Sequence, residues 1–99
     1  MIKHIVMWTI NPAEGLDKNA TLLKMKERLE SLRGKIEGMV SLQTGINQNS
    51  SPDASEFCLI TEHKSWDDLQ HYQDHPLHKE VAGFIGSVRK TRTVADFEF

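Results

Sequence analysis

Ninety-nine residues make one domain, leave no room for a second, and oblige the chain to use its apolar residues efficiently. Charged residues are 26% of the total and nearly cancel, to a net of −2 at pH 7, which argues against nucleic acid as a partner and against an acidic interaction tail. No run approaches the roughly eighteen apolar residues of a membrane span, and Met1-Ile2-Lys3-His4 leads into an apolar strand without a cleavage site, so a soluble, cytoplasmic protein with no membrane partner is expected.

Residues Ile2 to Ile10 predict a strand, because β-branched and aromatic side chains dominate and Asn11-Pro12 stops it. Alternation puts Ile2, His4, Val6, Trp8 and Ile10 on one face and Lys3, Ile5, Met7 and Thr9 on the other, so both faces carry apolar groups. After a turn at Gly15, Leu22, Met25, Leu29, Leu32 and Ile36 recur at steps of three and four residues, the stripe of a helix from about Asp17 to Arg33. Lys24, Lys26, Glu27, Arg28 and Glu30 form its solvated face, and Gly34 and Gly38 bracket its exit.

Met39 to Asn47 is a weaker strand suited to an edge, in which Val40, Leu42, Thr44 and Ile46 alternate with Ser41, Gln43 and Gly45. Gln48 to Ser55 is a polar loop. Phe57 to His63 predicts a third strand, with Phe57, Leu59 and Thr61 on one face and Cys58, Ile60 and Glu62 on the other. The solitary Cys58 excludes an internal disulfide or a cysteine-ligated zinc and reads as a small buried hydrophobe.

Ser65 followed by Asp68 marks a helix N-cap, and the helix that follows carries Trp66, Leu69 and Tyr72 on an apolar side. Pro76 ends that helix and suits the first turn of another, so His75-Pro76 forms a corner. Val81, Phe84, Ile85 and Val88 are the buried stripe of the second helix, and Gly86 loosens its end. Thr91 to Phe99 predicts a fourth strand, with Thr93, Ala95, Phe97 and Phe99 on one face and Arg92, Val94, Asp96 and Glu98 on the other.

Tyr72 and His78 flank the corner and are the cluster on which chemistry would rest. His78 suits a general base for a carbon acid beside a carbonyl, or an imidazole satisfied by a backbone carbonyl. Tyr72 suits a donor to the enolate oxygen, or a buried ring packed on the sheet. Asp96 would hold an imidazole in one tautomer, or bind backbone amides. His4 shares a face with Val6 and Trp8 and suits the wall of the same cavity or ordinary packing, while His75 serves the corner. Trp8, Leu59, Val81, Phe84 and Val94 supply apolar lining, and Arg92 either meets an anionic head group or lies exposed. His71, His75 and His78 have attractive letters for zinc, but Pro76 breaks their shared face and no fourth ligand is evident, so neither a metal nor a cofactor is expected.

The order β-α-β-β-α-β predicts an α+β, ferredoxin-like domain, one four-stranded antiparallel sheet with all helices on one face. Its other face is then bare yet apolar. Leaving six such side chains in water, at about 1.5–3 kcal/mol each, would forfeit as much as the whole stability of a small domain. A second copy packed sheet to sheet is the simplest cover, giving a homodimeric α/β barrel.

Over essentially its full length the chain resembles the stress-responsive A/B barrel (Dabb) family. The matching pieces are Ile2-Lys3-His4-Ile5-Val6, Ile36-Glu37-Gly38-Met39, Gly45 with Asn47, Ser65-Trp66-Asp67-Asp68-Leu69 with Tyr72, His75-Pro76-Leu77-His78, and Asp96-Phe97-Glu98. The chain departs from the family pattern at Glu37, where proline is usual, and near Thr9, where a basic residue is usual. The resemblance implies a dimeric ferredoxin-like barrel with a small-molecule cavity between sheet and helices and no assigned reaction. One plant member, olivetolic acid cyclase, is a polyketide cyclase that uses the tyrosine and second histidine matching Tyr72 and His78, and His4 matches a histidine lining its pocket. A lyase or cyclase acting on a β-keto substrate is therefore the enzymatic alternative, and a cofactor-independent monooxygenase a weaker one.

Overall fold

The alternation along the first strand decides the architecture. The computed structural model describes residues 1–99, in the order β1 (Ile2–Ile10), α1 (Lys18–Glu30), β2 (Met39–Ile46), β3 (Phe57–His63), α2 (Trp66–Asp74), α3 (Pro76–Val88) and β4 (Arg89–Glu98). The strands form one sheet in the order β2-β3-β1-β4, every pair antiparallel. This is a ferredoxin-like α+β fold, and no helix is long and apolar enough to cross a membrane.

Ile2, His4, Val6, Trp8 and Ile10 are buried beneath the helices, and Phe57, Leu59, Thr61 and His63 are buried beside them on β3. α1 brings Leu22, Met25 and Leu29 into the same core. Asp17 caps this helix by accepting from the Ala20 amide, and the helix ends at Glu30, three residues before Arg33, in a run of turns. Leu32 and Ile36 stay buried within those turns, so the apolar stripe outlasts the helix that began it.

The solvated face expected of α1 is partly engaged. Lys26 bonds Glu30 and Thr44, and Arg33 donates to the Leu42 carbonyl at 2.8 Å. Gly38, at φ +87°, turns the chain into β2 where any side chain would run into the Asp68 carboxylate.

Two register shifts correct the expected alternation. One lies between Met39 and Ser41, and Val40 is the extra residue; it is 54% exposed instead of sharing a face with Leu42. The other lies opposite Thr9 and Ile10. Strand β4 also starts two residues earlier than Thr91, directly out of α3. Trp66 is another correction: it is 49% exposed, and its indole N–H donates to Glu98 rather than joining Leu69 and Tyr72 in the core.

On the open side of the sheet, cross-strand neighbours Ile5 and Ile60, Met7 and Cys58, and Ile5 and Ala95 form an apolar band, with Phe97 beyond it. β4 is exposed along its whole length, because the helices cover β1, β2 and β3 and stop short of it.

Candidate functional site

Ser65 fixes where the site begins. Its hydroxyl accepts from the Asp68 amide at 3.1 Å and starts α2, and the phase so set buries Tyr72 completely. His75 then ends α2 and caps α3, its Nδ1 accepting from the Leu77 amide at 3.1 Å, with Pro76 in the first turn. The corner delivers His78 next to Tyr72, ring centroids 4.4 Å apart.

His78 donates Nδ1–H to the Gln73 carbonyl at 3.1 Å, which leaves Nε2 as the lone-pair nitrogen of the neutral ring. Burial lowers its pKa below the ordinary imidazole value, the Gln73 carbonyl opposes that shift, and the nearby His4, Arg92 and His75 reinforce it. His4 is held in the same manner from the sheet. Its Nδ1–H donates to Asp96, the residue directly across from it on β4, at 2.5 Å. Asp96 therefore orients an imidazole, and that imidazole is His4 rather than His78.

Both histidines open on one cavity of about 250 Å³ between the sheet and α3. Val6, Trp8, Leu29, Leu59, Val81 and Ile85 supply its apolar wall, Gly86 leaves a gap in the α3 side, and Arg89 and Arg92 at the start of β4 complete the lining. A larger groove of about 620 Å³ runs beside Asn47, Glu56 and Lys90, but only 2 of its 14 lining residues are apolar, too few to hold an organic ligand out of water.

Of the residues singled out from the chain, His4, Val6, Trp8, Leu59, His78, Val81 and Arg92 come together around this cavity. Four do not line it. Phe84 is half-buried against the core, under Lys24 and Arg28, whose charged groups lie 5.2 and 4.7 Å from its ring centre. Val94 is 44% exposed on the uncovered strand β4. Asp96 stands behind His4, and Tyr72 behind both histidines. The Tyr72 hydroxyl is buried with no hydrogen-bond partner, and burial pushes its pKa up, so it stays protonated. Gly86, expected to loosen the helix end, lies inside α3 with open space where a side chain would project.

Residue-by-residue reading missed His63, Arg89 and Leu29. His63 is fully buried, accepts or donates at Nε2 with Thr61 at 2.8 Å, and lies 5.0 Å from Tyr72, its Nδ1 unpartnered. The signal was the alternation of β3 itself, which puts His63 on the face of Phe57, Leu59 and Thr61. Burial and the neighbouring His4 hold its pKa down to about 4, with Asp68 and Asp96 opposing.

A pH dependence follows. The unfolded chain takes up the His63 proton near its ordinary value of 6.5, whereas the folded chain refuses it until about 4. Stability is therefore full above pH 6.5 and is lost as the pH falls toward 4, by up to about 3 kcal/mol. Urea midpoints at about pH 7.5 and about pH 5 should differ in the wild type and differ less in His63→Gln. An equal difference in both would remove His63 as the cause.

Residues 2–99 match the family model of the stress responsive A/B barrel domain. The chain belongs to this family. Among solved structures, a dimeric protein of unknown function with a ferredoxin-like fold from Bacteroides fragilis is 26% identical, with 99% of this chain and 95% of that one covered at a TM-score of 0.81. A dimeric ferredoxin-like protein of unknown function from Thermobifida fusca matches at 19% identity and TM-score 0.85, over 99% of this chain and 90% of that one. The hydroxynitrile lyase of Passiflora edulis shares the fold at 14% identity and TM-score 0.79, over 97% and 90%. Among curated protein sequences none matches this chain. One fold thus accompanies both unassigned and enzymatic proteins, and the activity must be argued from the side chains.

Proposed function

We propose that this Dabb protein works as a homodimer whose cavities each take a small organic ligand and move a proton on it. The supporting observation for the chemistry is the pair of imidazoles at one end of an apolar cavity, each tied at Nδ1 and free at Nε2. In this reading Nε2 of neutral His78 removes a proton from the carbon beside a carbonyl. His4, when it carries a second proton, donates Nε2–H to the enolate oxygen while Asp96 balances its charge. The substrate class is a β-keto or related oxo compound, and the reaction type that of a lyase or cyclase. Catalytic roles fall to His78 and His4, with Asp96 as a positioning residue and Tyr72 as the packed support of both rings.

Dimerisation is supported by the apolar open face, where Ile5, Met7, Cys58, Ile60 and Phe97 lie uncovered by any helix of their own chain, and by the dimeric state of the similar proteins. Cys58 would be enclosed there, and an unpaired thiol suits the reducing cytoplasm, where we place the protein. The near-neutral charge supports no role for nucleic acid.

A pure binding module is the second reading. It is favoured by Tyr72, whose hydroxyl lies behind the wall rather than in the cavity. The two are separated by following deuterium uptake at the α-carbons of a panel of β-keto thioesters and oxo-acids. The catalytic reading expects uptake well above the buffer rate in the wild type, and a loss of most of it in Gly86→Phe, whose ring would occupy the gap in the α3 wall. Gly86→Ala serves as the folding control, since alanine inside a helix adds about 0.5–1 kcal/mol of stability. Tight binding without uptake would leave the module reading.

A further inference from the structure

The arginine side of the cavity has its own chemistry. Period-two alternation would send Arg89 and Arg92, three residues apart on β4, to opposite faces of the sheet. The register shift cancels that. Thr9 pairs with Thr91 and Ile10 with Arg89, so Lys90 is the extra residue, and both arginines reach the helix side. The disrupted ladder is repaired from elsewhere: the Ile10 amide donates to Glu56 at 2.9 Å, and the Asn11 amide to the Val88 carbonyl at 2.7 Å. Glu56 is in turn held by Lys18 at 2.7 Å, so the carboxylate beside the bulge is already engaged. Neither Arg89 nor Arg92 forms an ion pair or a side-chain hydrogen bond, in contrast to Arg33, which is tied to Leu42.

Two rulers agree on where the arginines lie relative to the imidazoles. On β1, His4 and the Arg92 partner Trp8 are four residues apart, about 13 Å of strand. Along α3, the cavity residues run from His78 through Val81 and Ile85 to Arg89 just past the end of the helix, about 16 Å of rise. These are backbone spans, which the arginine side chains shorten until the Arg92 charge is felt at His78, and the wall between is apolar.

We propose that Arg89 and Arg92 form a carboxylate clamp, and that the ligand is a linear oxo-acid with its carboxylate at the arginines and its carbonyl at His4 and His78. Two unpaired guanidiniums give planar, forked donors matched to a carboxylate, and the bulge at Lys90 puts Arg89 on the same face as Arg92. The assignment of the carbonyl end rests on the proton-transfer reading above, whereas the clamp stands on its own register and pairing.

The test uses isothermal titration of the full chain with oxo-acids from 4-oxopentanoate to 8-oxononanoate and with the methyl ester of each. The clamp predicts one chain length at which the acid binds wild type at least about tenfold more tightly than its ester, with an advantage that shrinks as salt rises. In Arg89→Gln/Arg92→Gln that advantage should fall to about one, because the acid weakens while the ester binds as before. Equal binding of acid and ester to wild type, no binding by any acid of the series, or an advantage that survives the double substitution would each overturn the clamp. The outcomes separate it from the catalytic reading: acid preference without α-deuterium uptake retains the clamp and sinks the base, and uptake without acid preference does the reverse.

Discussion

Replacing Ile60 by arginine should convert the protein to monomers at micromolar concentration. Ile60 lies on the open face of β3, directly across from Ile5 on β1, so it occupies the middle of the apolar band rather than its rim. In a two-fold, sheet-to-sheet dimer each substitution acts twice and brings two cations toward one another in a dry interface. An unpaired buried charge costs several kcal/mol, and about 5 kcal/mol corresponds to a weakening of more than about a thousandfold in Kd. Sedimentation velocity reads the result directly. Leu23→Arg is the matched control, since Leu23 is 52% exposed on α1 and away from the open face, and it should leave assembly unchanged. A dimer that survives Ile60→Arg would move the interface elsewhere. Ile5→Arg should repeat the dissociation from the facing strand.

Replacing His78 by glutamine should lower α-proton exchange by about 10²–10⁴-fold, the usual contribution of a positioned base and about 3–5 kcal/mol of barrier. Glutamine retains a polar side chain of similar length, so Tyr72 keeps a packing neighbour and the loss is chemical. The wild-type rate has a characteristic pH limb. A base must be unprotonated, so the rate falls as acid protonates His78, and burial places that fall below the ordinary imidazole value of 6.5. The plateau therefore extends through neutral pH. A limb centred above 6.5, or exchange that persists in His78→Gln, would exclude His78 as the base. His4→Gln should reduce the rate with a smaller effect on ligand affinity, because it removes a donor that matters most once the enolate oxygen carries charge.

The legible parts of this protein share a property: each is set by neighbours in the chain. Period-two runs at Ile2–Ile10 and Phe57–His63, the three-and-four stripe from Leu22 onward, and the Ser65 and Pro76 signals are local patterns, and the elements they define lie within a few residues of expectation. The bare apolar sheet face was legible for the same reason, since Ile5, Met7, Cys58 and Ile60, or else their opposite-face neighbours, hold it whichever face the helices take.

Sequence alone determined the element order, the two-sided hydrophobicity of the central strands, the corner that brings Tyr72 to His78, and through these the fold. Only the tertiary structure decided which imidazole Asp96 holds, that His63 is buried against Tyr72, that Phe84 packs at the core's edge under two cations, and that a one-residue bulge brings Arg89 and Arg92 to the same cavity. The physical reason is register. A bulge costs one residue and leaves hydrophobic periodicity almost untouched, yet it reverses the face of every side chain beyond it, and cross-strand partners 92 residues apart meet only when the ladder has been closed.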